Sequence, residues 1–157
     1  MINPRTPVPF RAPGSDGTGR QGYPPAPEPL PVPVMDNHTH LDFPSDDLKV
    51  SLGDALDAAE AVGVQGAVQV GCDLESSRFT VQAVELDPRL LGAVALHPND
   101  APRYAARGEL EDALAEIEAL AAHPRIRAIG ETGRVHDAAQ RLDDDVHSLE
   151  LRVRARF

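Results

Sequence analysis

Beyond residue 32 the chain alternates between two hydrophobic textures. Residues 32–38, 66–72 (GAVQVGC), 90–96 (LLGAVAL) and 126–130 (IRAIG) are short and largely apolar, as strands of a covered parallel sheet are. Between them apolar residues recur every three or four positions, the spacing of helices. Leu48, Leu52, Ala55, Leu56, Ala59 and Val62 predict a first helix stopped by Gly63. Phe79, Ala83 and Leu86 form the inward stripe of a second, capped by Ser76 or Ser77. Leu110, Leu114, Ile117 and Leu120 mark a third, closed by His123 and Pro124. The predicted order is βαβαβαβ, an α/β chain with a parallel sheet. Two architectures satisfy it, a doubly wound open sheet and part of a (β/α)8 barrel. Both gather function at the C-terminal ends of the strands.

The flanks read differently. Ten of the 15 prolines fall within residues 1–33, with Gly14, Gly17, Gly19 and Gly22. Such a segment buries too little apolar surface to offset its ordering entropy and is expected to be an extended, disordered tail. At the other end Ala139, Leu142, Val146, Leu149 and Val153 predict an amphipathic helix, followed by a basic cluster of Arg152, Arg154 and Arg156. The expected plan is a tail over 1–33, a folded unit over 34–133 and a divergent helix over 134–157.

Composition narrows the functions. With 4% aromatic residues and no Trp, the core must be filled by Ala, Val, Leu and Ile. A net charge of -10 argues against a broadly basic surface for gripping nucleic acid. Bound divalent cations would add local positive charge that this count omits. Cys72 is the single cysteine, so an internal disulfide is ruled out and a reducing, cytoplasmic setting is expected. No apolar run approaches the roughly 20 residues that span a bilayer, and the first residues lack the pattern of a signal peptide.

The strand ends carry the candidate chemistry. The first ends in Asp36-Asn37-His38-Thr39-His40-Leu41-Asp42. Residues two apart on a strand share a face, so His38 and His40 project together, as two imidazole ligands of zinc or a similar ion would. Asp36 and Asp42 are placed to act as outer carboxylates that set a ring tautomer. The third ends in His97-Pro98-Asn99-Asp100, where the histidine serves either the site or a simple strand cap. The fourth ends in Gly130-Glu131-Thr132-Gly133. A carboxylate between glycines just past an apolar strand is poorly explained by packing and points to where a metal would sit.

In this order MDNHTHLD (35–42), ALHPND (95–100) and AIGETG (128–133) resemble the TatD family of metal-dependent deoxyribonucleases, over about residues 33–133. The resemblance implies a TIM-type barrel, of which this chain holds about four strands, and a centre of two divalent ions (Mg, Mn or Zn). It implies hydrolysis of phosphodiester bonds, with DNA trimmed from its 3′ end. On that carry-over His38 and His40 bind one metal, Glu131 bridges both, and His97 lines the pocket and touches substrate.

After Gly133 stands Arg134-Val135-His136-Asp137, where the family usually has Leu-Asp and an aromatic stretch. His136 and His147 take no assigned role, and no catalytic aspartate is recognised. The expectation is therefore an N-terminal portion of such an enzyme, shortened by truncation or a change of reading frame, with weak or no activity of its own. Four parallel strands cannot close, so exposed edges invite self-association. Two other readings are a non-catalytic half-barrel that binds a partner, and a PHP-type phosphoesterase, which also begins with a His-x-His strand. The His97-Pro98 and Gly130–Gly133 motifs argue against the latter.

Overall fold

The computed structural model describes residues 7–10, 26–42 and 48–131. Its elements are β1 (Pro7–Phe10), β2 (Val34–Thr39), β3 (Leu48–Ser51), α1 (Leu52–Ala61), β4 (Val64–Val70), α2 (Leu74–Leu86), β5 (Leu90–Val94), α3 (Ala101–Arg107), α4 (Leu110–Ala121) and β6 (Ile126–Ile129). Four strands form one parallel sheet in the order β2-β4-β5-β6. Each strand joins on the same side as the one before. That is how a barrel is wound, whereas a doubly wound sheet reverses direction at a switch point. The order therefore selects the partial barrel of the two architectures left open.

Capping residues fix where the helices begin. Ser51 accepts a hydrogen bond from the Asp54 amide at 3.1 Å, so α1 starts at Leu52. Leu48, expected inside that helix, instead lies in β3. Gly63 stops α1 as expected, with φ of 94° and its amide bonded to the Glu60 carbonyl at 3.0 Å. The second helix starts earlier than Ser76 or Ser77. Asp73 is its cap, accepting from the Ser76 amide at 2.8 Å while the Ser76 hydroxyl accepts from the Asp73 amide at 2.9 Å. A short helix, α3, was not foreseen; Pro102 sits in its first turn, where a missing N–H costs nothing.

Within the expected tail, Pro7–Phe10 forms a strand paired antiparallel with β3, Pro7 opposite Ser51. An edge strand tolerates the absent N–H of Pro7 and Pro9. The amphipathic pattern from Ala139 to Val153, the basic cluster, His136 and His147 lie outside the described residues.

Helices cover one face of the sheet. Leu52 and Leu56 of α1, Ala83 and Val84 of α2, and Leu114 and Ile117 of α4 are buried with Leu90, Val94 and Ile126. Phe79, Leu86 and Leu120, expected inward, pack partly buried against this core. At the N-terminal end of β5, Arg89 bonds Asp87 at 2.7 Å, Glu60 at 2.8 Å and Asp57 at 2.9 Å, tying α1 to the turn after α2. No helix among the described residues is long and apolar enough to cross a membrane.

Gly92 lets β5 and α2 approach. A methyl group there would collide with Ile126 Cδ1 and come within 2.8 Å of Thr80 Cγ2. Gly92→Ala should therefore destabilise the fold by about 1–3 kcal/mol through overpacking, read as a lower urea midpoint. An unchanged midpoint would mean that the helix layer yields at no cost.

Candidate metal centre

His38 and His40 come from the end of β2, and Glu131 from the residue pair after β6. These strands are not neighbours, since β4 and β5 lie between them. On a flat sheet they would be about 14 Å apart, three spacings of roughly 4.8 Å. Nevertheless Glu131 Oε1 lies 2.9 Å from His38 Nε2 and 3.1 Å from His40 Nε2, and the two imidazole nitrogens are 3.2 Å apart. Side chains standing on a flat sheet would run parallel and never meet. The sheet is curved, and the inward side chains of its two outer strands converge.

The ladder positions each one. Thr39 pairs with Gln69, which turns His38 and His40 together to the opposite face. The Gly130 amide continues the β5 ladder to the Val94 carbonyl at 3.3 Å and delivers Glu131. His97 follows β5, held by its amide to the Cys72 carbonyl at 2.7 Å, and its Nε2 lies 3.8 Å from Glu131 Oε2. The four residues singled out from sequence therefore stand at one end of the sheet.

Hydrogen-bond partners settle two tautomers. The Val70 carbonyl lies 2.9 Å from His40 Nδ1. A carbonyl only accepts, so Nδ1 carries the hydrogen, and Nε2 of the neutral ring turns a lone pair toward the Glu131 carboxylate. Two acceptors at 3.1 Å call for a cation, either a proton on Nε2 or a metal. His97 is the reverse. Its Nδ1 accepts from the Asn99 amide at 3.1 Å, so the neutral ring carries its hydrogen on Nε2 and points a donor at the cluster. His97 also caps its own turn by this bond, so both sequence readings of it hold locally.

Burial pulls the Glu131 carboxyl upward, but the hydrogen bond to His38 and the nearby His38, His40 and His97 outweigh it and hold the group below its ordinary value. His38, His40 and Glu131 each offer one ligand atom, all within 4.8 Å of one another, the one such cluster of three found among the described residues. Ligands 2.0–2.2 Å from an ion stand about 2.8–3.6 Å apart at octahedral to tetrahedral angles, so the observed spacings fit a divalent cation. Such an ion would withdraw charge from bound water and polarise a substrate oxygen.

The outer carboxylates do other work than expected. Asp36 accepts the His38 backbone amide at 3.0 Å, and Asp42 accepts the Gln69 side-chain amide at 2.8 Å. The tautomer-setting role falls to Val70, whose carbonyl a sequence motif does not advertise. Two neighbours were also missed, Gln69 and Cys72. The Cys72 thiol lies 3.9 Å from both His40 Nδ1 and Glu131 Oε1. Burial, followed by the negative charge of Glu131, Asp42, Asp73 and Asp100, pushes it up to about 12. A thiol so raised stays protonated through neutral pH. In the presence of chelator at pH 8, Cys72 should react with iodoacetamide about a hundredfold more slowly than in the guanidinium-unfolded chain. Equal rates would refute that environment.

Strand-end histidines and a glutamate converging over a curved parallel sheet define the class as a partial α/β barrel with a candidate metal centre. The chain belongs to the TatD-related DNase family, whose model matches residues 35–150, past the last sequence motif at Gly133. It is 44% identical over 102 residues to a Mycobacterium tuberculosis (strain H37Rv) protein described as an uncharacterized metal-dependent hydrolase TatD. That similarity covers 64% of this chain and 36% of the relative, so the chain matches about a third of the relative's length.

Proposed function

We propose that the protein is of a kind that hydrolyses phosphodiester bonds in DNA, in the manner of a 3′-5′ exonuclease, with two divalent ions drawn from Mg, Mn and Zn, and that this chain by itself is at most weakly active. The observation that carries the reading is the Glu131 carboxylate within 2.9 and 3.1 Å of two imidazole nitrogens, one of which must be an acceptor when neutral. His38, His40 and Glu131 would hold a first ion, and the second carboxylate oxygen of Glu131 would face its companion. His97, with its Nε2 hydrogen aimed at the cluster, would donate to a phosphate oxygen and hold the substrate in register. Carboxylates near the cluster other than Glu131 are engaged: Asp42 with Gln69, Asp73 as the α2 cap, and Asp100 with Arg103 at 2.9 Å. A proton acceptor for water is therefore not assigned to any described residue.

The test has a binding arm and a turnover arm. Zn2+ or Mn2+ at about a hundred times its Kd should stabilise the chain by about 2.7 kcal/mol, read as a higher melting midpoint that EDTA abolishes. Glu131→Gln and the double variant His38→Ala/His40→Ala should lose that shift. With metal present, 3′-labelled single-stranded DNA should release mononucleotides only slowly, and both variants should release none. Metal binding without any metal-dependent release would remove the nuclease assignment.

A second reading rests on the flank of β2, where Leu30, Val32, Val34 and Met35 are exposed, Val32 by 66%. Among the described strands β2 and β6 each have one neighbour, leaving open ladders. Such a half-barrel would serve as a partner-binding or self-associating module. It predicts concentration-dependent association in sedimentation, weakened by Val34→Lys and indifferent to EDTA. A monomer at every concentration would count against self-association.

A further inference from the structure

We infer that Gln69, fully buried beneath the histidine pair, is a positioning residue that holds His40 in ligand geometry. The inference rests on the metal-centre reading above and goes beyond it by naming what keeps the ligand in place.

A glutamine side chain is costly to bury in a strand unless its amide is satisfied. Gln69 is 0% exposed on β4. Its Oε1 accepts from the Leu41 amide at 2.7 Å, and its Nε2 donates to Asp42 Oδ1 at 2.8 Å and to the Val70 carbonyl at 3.4 Å. The amide orientation follows from the partners, because a backbone N–H must meet oxygen and a carboxylate must meet N–H. Every one of these bonds ends beside His40. Two fix the residues that follow it, and the third shares the carbonyl that orients its ring at 2.9 Å. Of the three only the Leu41 bond reaches a residue packed against the core, and the helices pack through Leu56, Val84, Leu114 and Ile117 with no contribution from this amide. A Val or Ile at this strand position would fill the space at lower desolvation cost and would leave residues 41 and 42 without their anchor. The amide thus does for this ligand what outer hydrogen bonds do for metal-bound histidines in general, which is to fix ring orientation before the ion arrives.

The experiment measures Zn2+ and Co2+ binding by calorimetry and the visible Co2+ spectrum, on the whole chain. It compares wild type with Gln69→Leu, Asp42→Leu, Asp42→Asn and Thr80→Val. Apo stability is followed separately by urea unfolding in EDTA. Gln69→Leu should lose about 10–100-fold in affinity and change the Co2+ bands, as removal of an outer ligand partner does. Asp42→Leu should follow it. Asp42→Asn retains an acceptor for Nε2 and should restore affinity to within about threefold. Thr80 is equally buried, with its hydroxyl on the Ser76 carbonyl at 2.9 Å, a bond within α2 and not at the strand ends. Thr80→Val should lower apo stability and leave affinity alone, which separates positioning from loss of a buried hydrogen bond. A folded Gln69→Leu with wild-type affinity and spectrum overturns the inference. Should Gln69→Leu not fold, equal affinities of Asp42→Leu and Asp42→Asn overturn it instead. Failure of wild type to bind either ion overturns the metal-centre reading and the inference with it, whereas binding by wild type with unaltered variants sinks only the role of Gln69.

Discussion

A carboxylate oxygen facing the lone pair of a neutral imidazole at 3.1 Å is an unstable arrangement unless positive charge comes between them. Here Val70 holds the single hydrogen of the His40 ring on the far nitrogen, so the conflict cannot be relieved by a tautomer shift. A proton or a metal ion must resolve it. Because β2 and β6 are the first and last strands of the described sheet, whatever resolves it also links the sheet's two edges. Curvature, ligand convergence and the disposition of the helices on the convex face are one constraint viewed at different distances. A flatter sheet would part the ligands, and a bulkier residue at Gly92 would press against the layer that bends it.

The two ends of the sheet are specialised in opposite ways. At the N-terminal end Arg89 meets three carboxylates and is fully compensated, an arrangement that secures α1 against the start of β5. At the C-terminal end the donors and acceptors are mismatched, with Glu131 drawing on three histidines at once. Donors matched to acceptors mark the structural end and mismatched ones the chemical end, which agrees with the general placement of function in barrels. The raised thiol of Cys72 belongs to the same picture, since burial first, and then the negative charge gathered around the cluster, push it up.

How far the sequence could be read follows from what each feature depends on. Strands 66–72, 90–96 and 126–130 were legible because their apolar runs are bounded by Gly and Pro, and the helix stripes because they are buried in register. The choice between an open sheet and a barrel was not, since it depends on which side each strand joins, and hydrophobic pattern carries no such information. The start of α2 was misplaced by a turn because Ser76 is a capping residue type that serves here as the partner of Asp73. That His38, His40, His97 and Glu131 would gather at one end of the sheet was legible because the motifs lie at strand ends. Their distances, the tautomers and the part played by Val70 were not, because a backbone carbonyl is the same whatever residue bears it. Gln69 was hidden within a run counted as apolar, and only its complete burial exposes it.

The opposed tautomers of His40 and His97 separate two roles that composition alone would merge. His40 presents an acceptor to the cluster and can coordinate; His97 presents a donor and cannot do so without giving up its bond to the Asn99 amide. On the hydrolase reading this distinction matters because the chain carries a net charge of -10 and its proposed substrate is a polyanion. Long-range attraction is absent, so binding must come from short-range groups at the strand ends. A coordinated cation and an N–H donor lying within about one phosphate's width of it would supply that complementarity locally. The donor also fixes which phosphate oxygen faces the cation, so the order of residues around Glu131 would govern orientation as well as affinity. The same logic suits the surrounding acids being tied up in a helix cap, an ion pair and a bond to the Gln69 amide: a free carboxylate here would compete with the phosphate for the site.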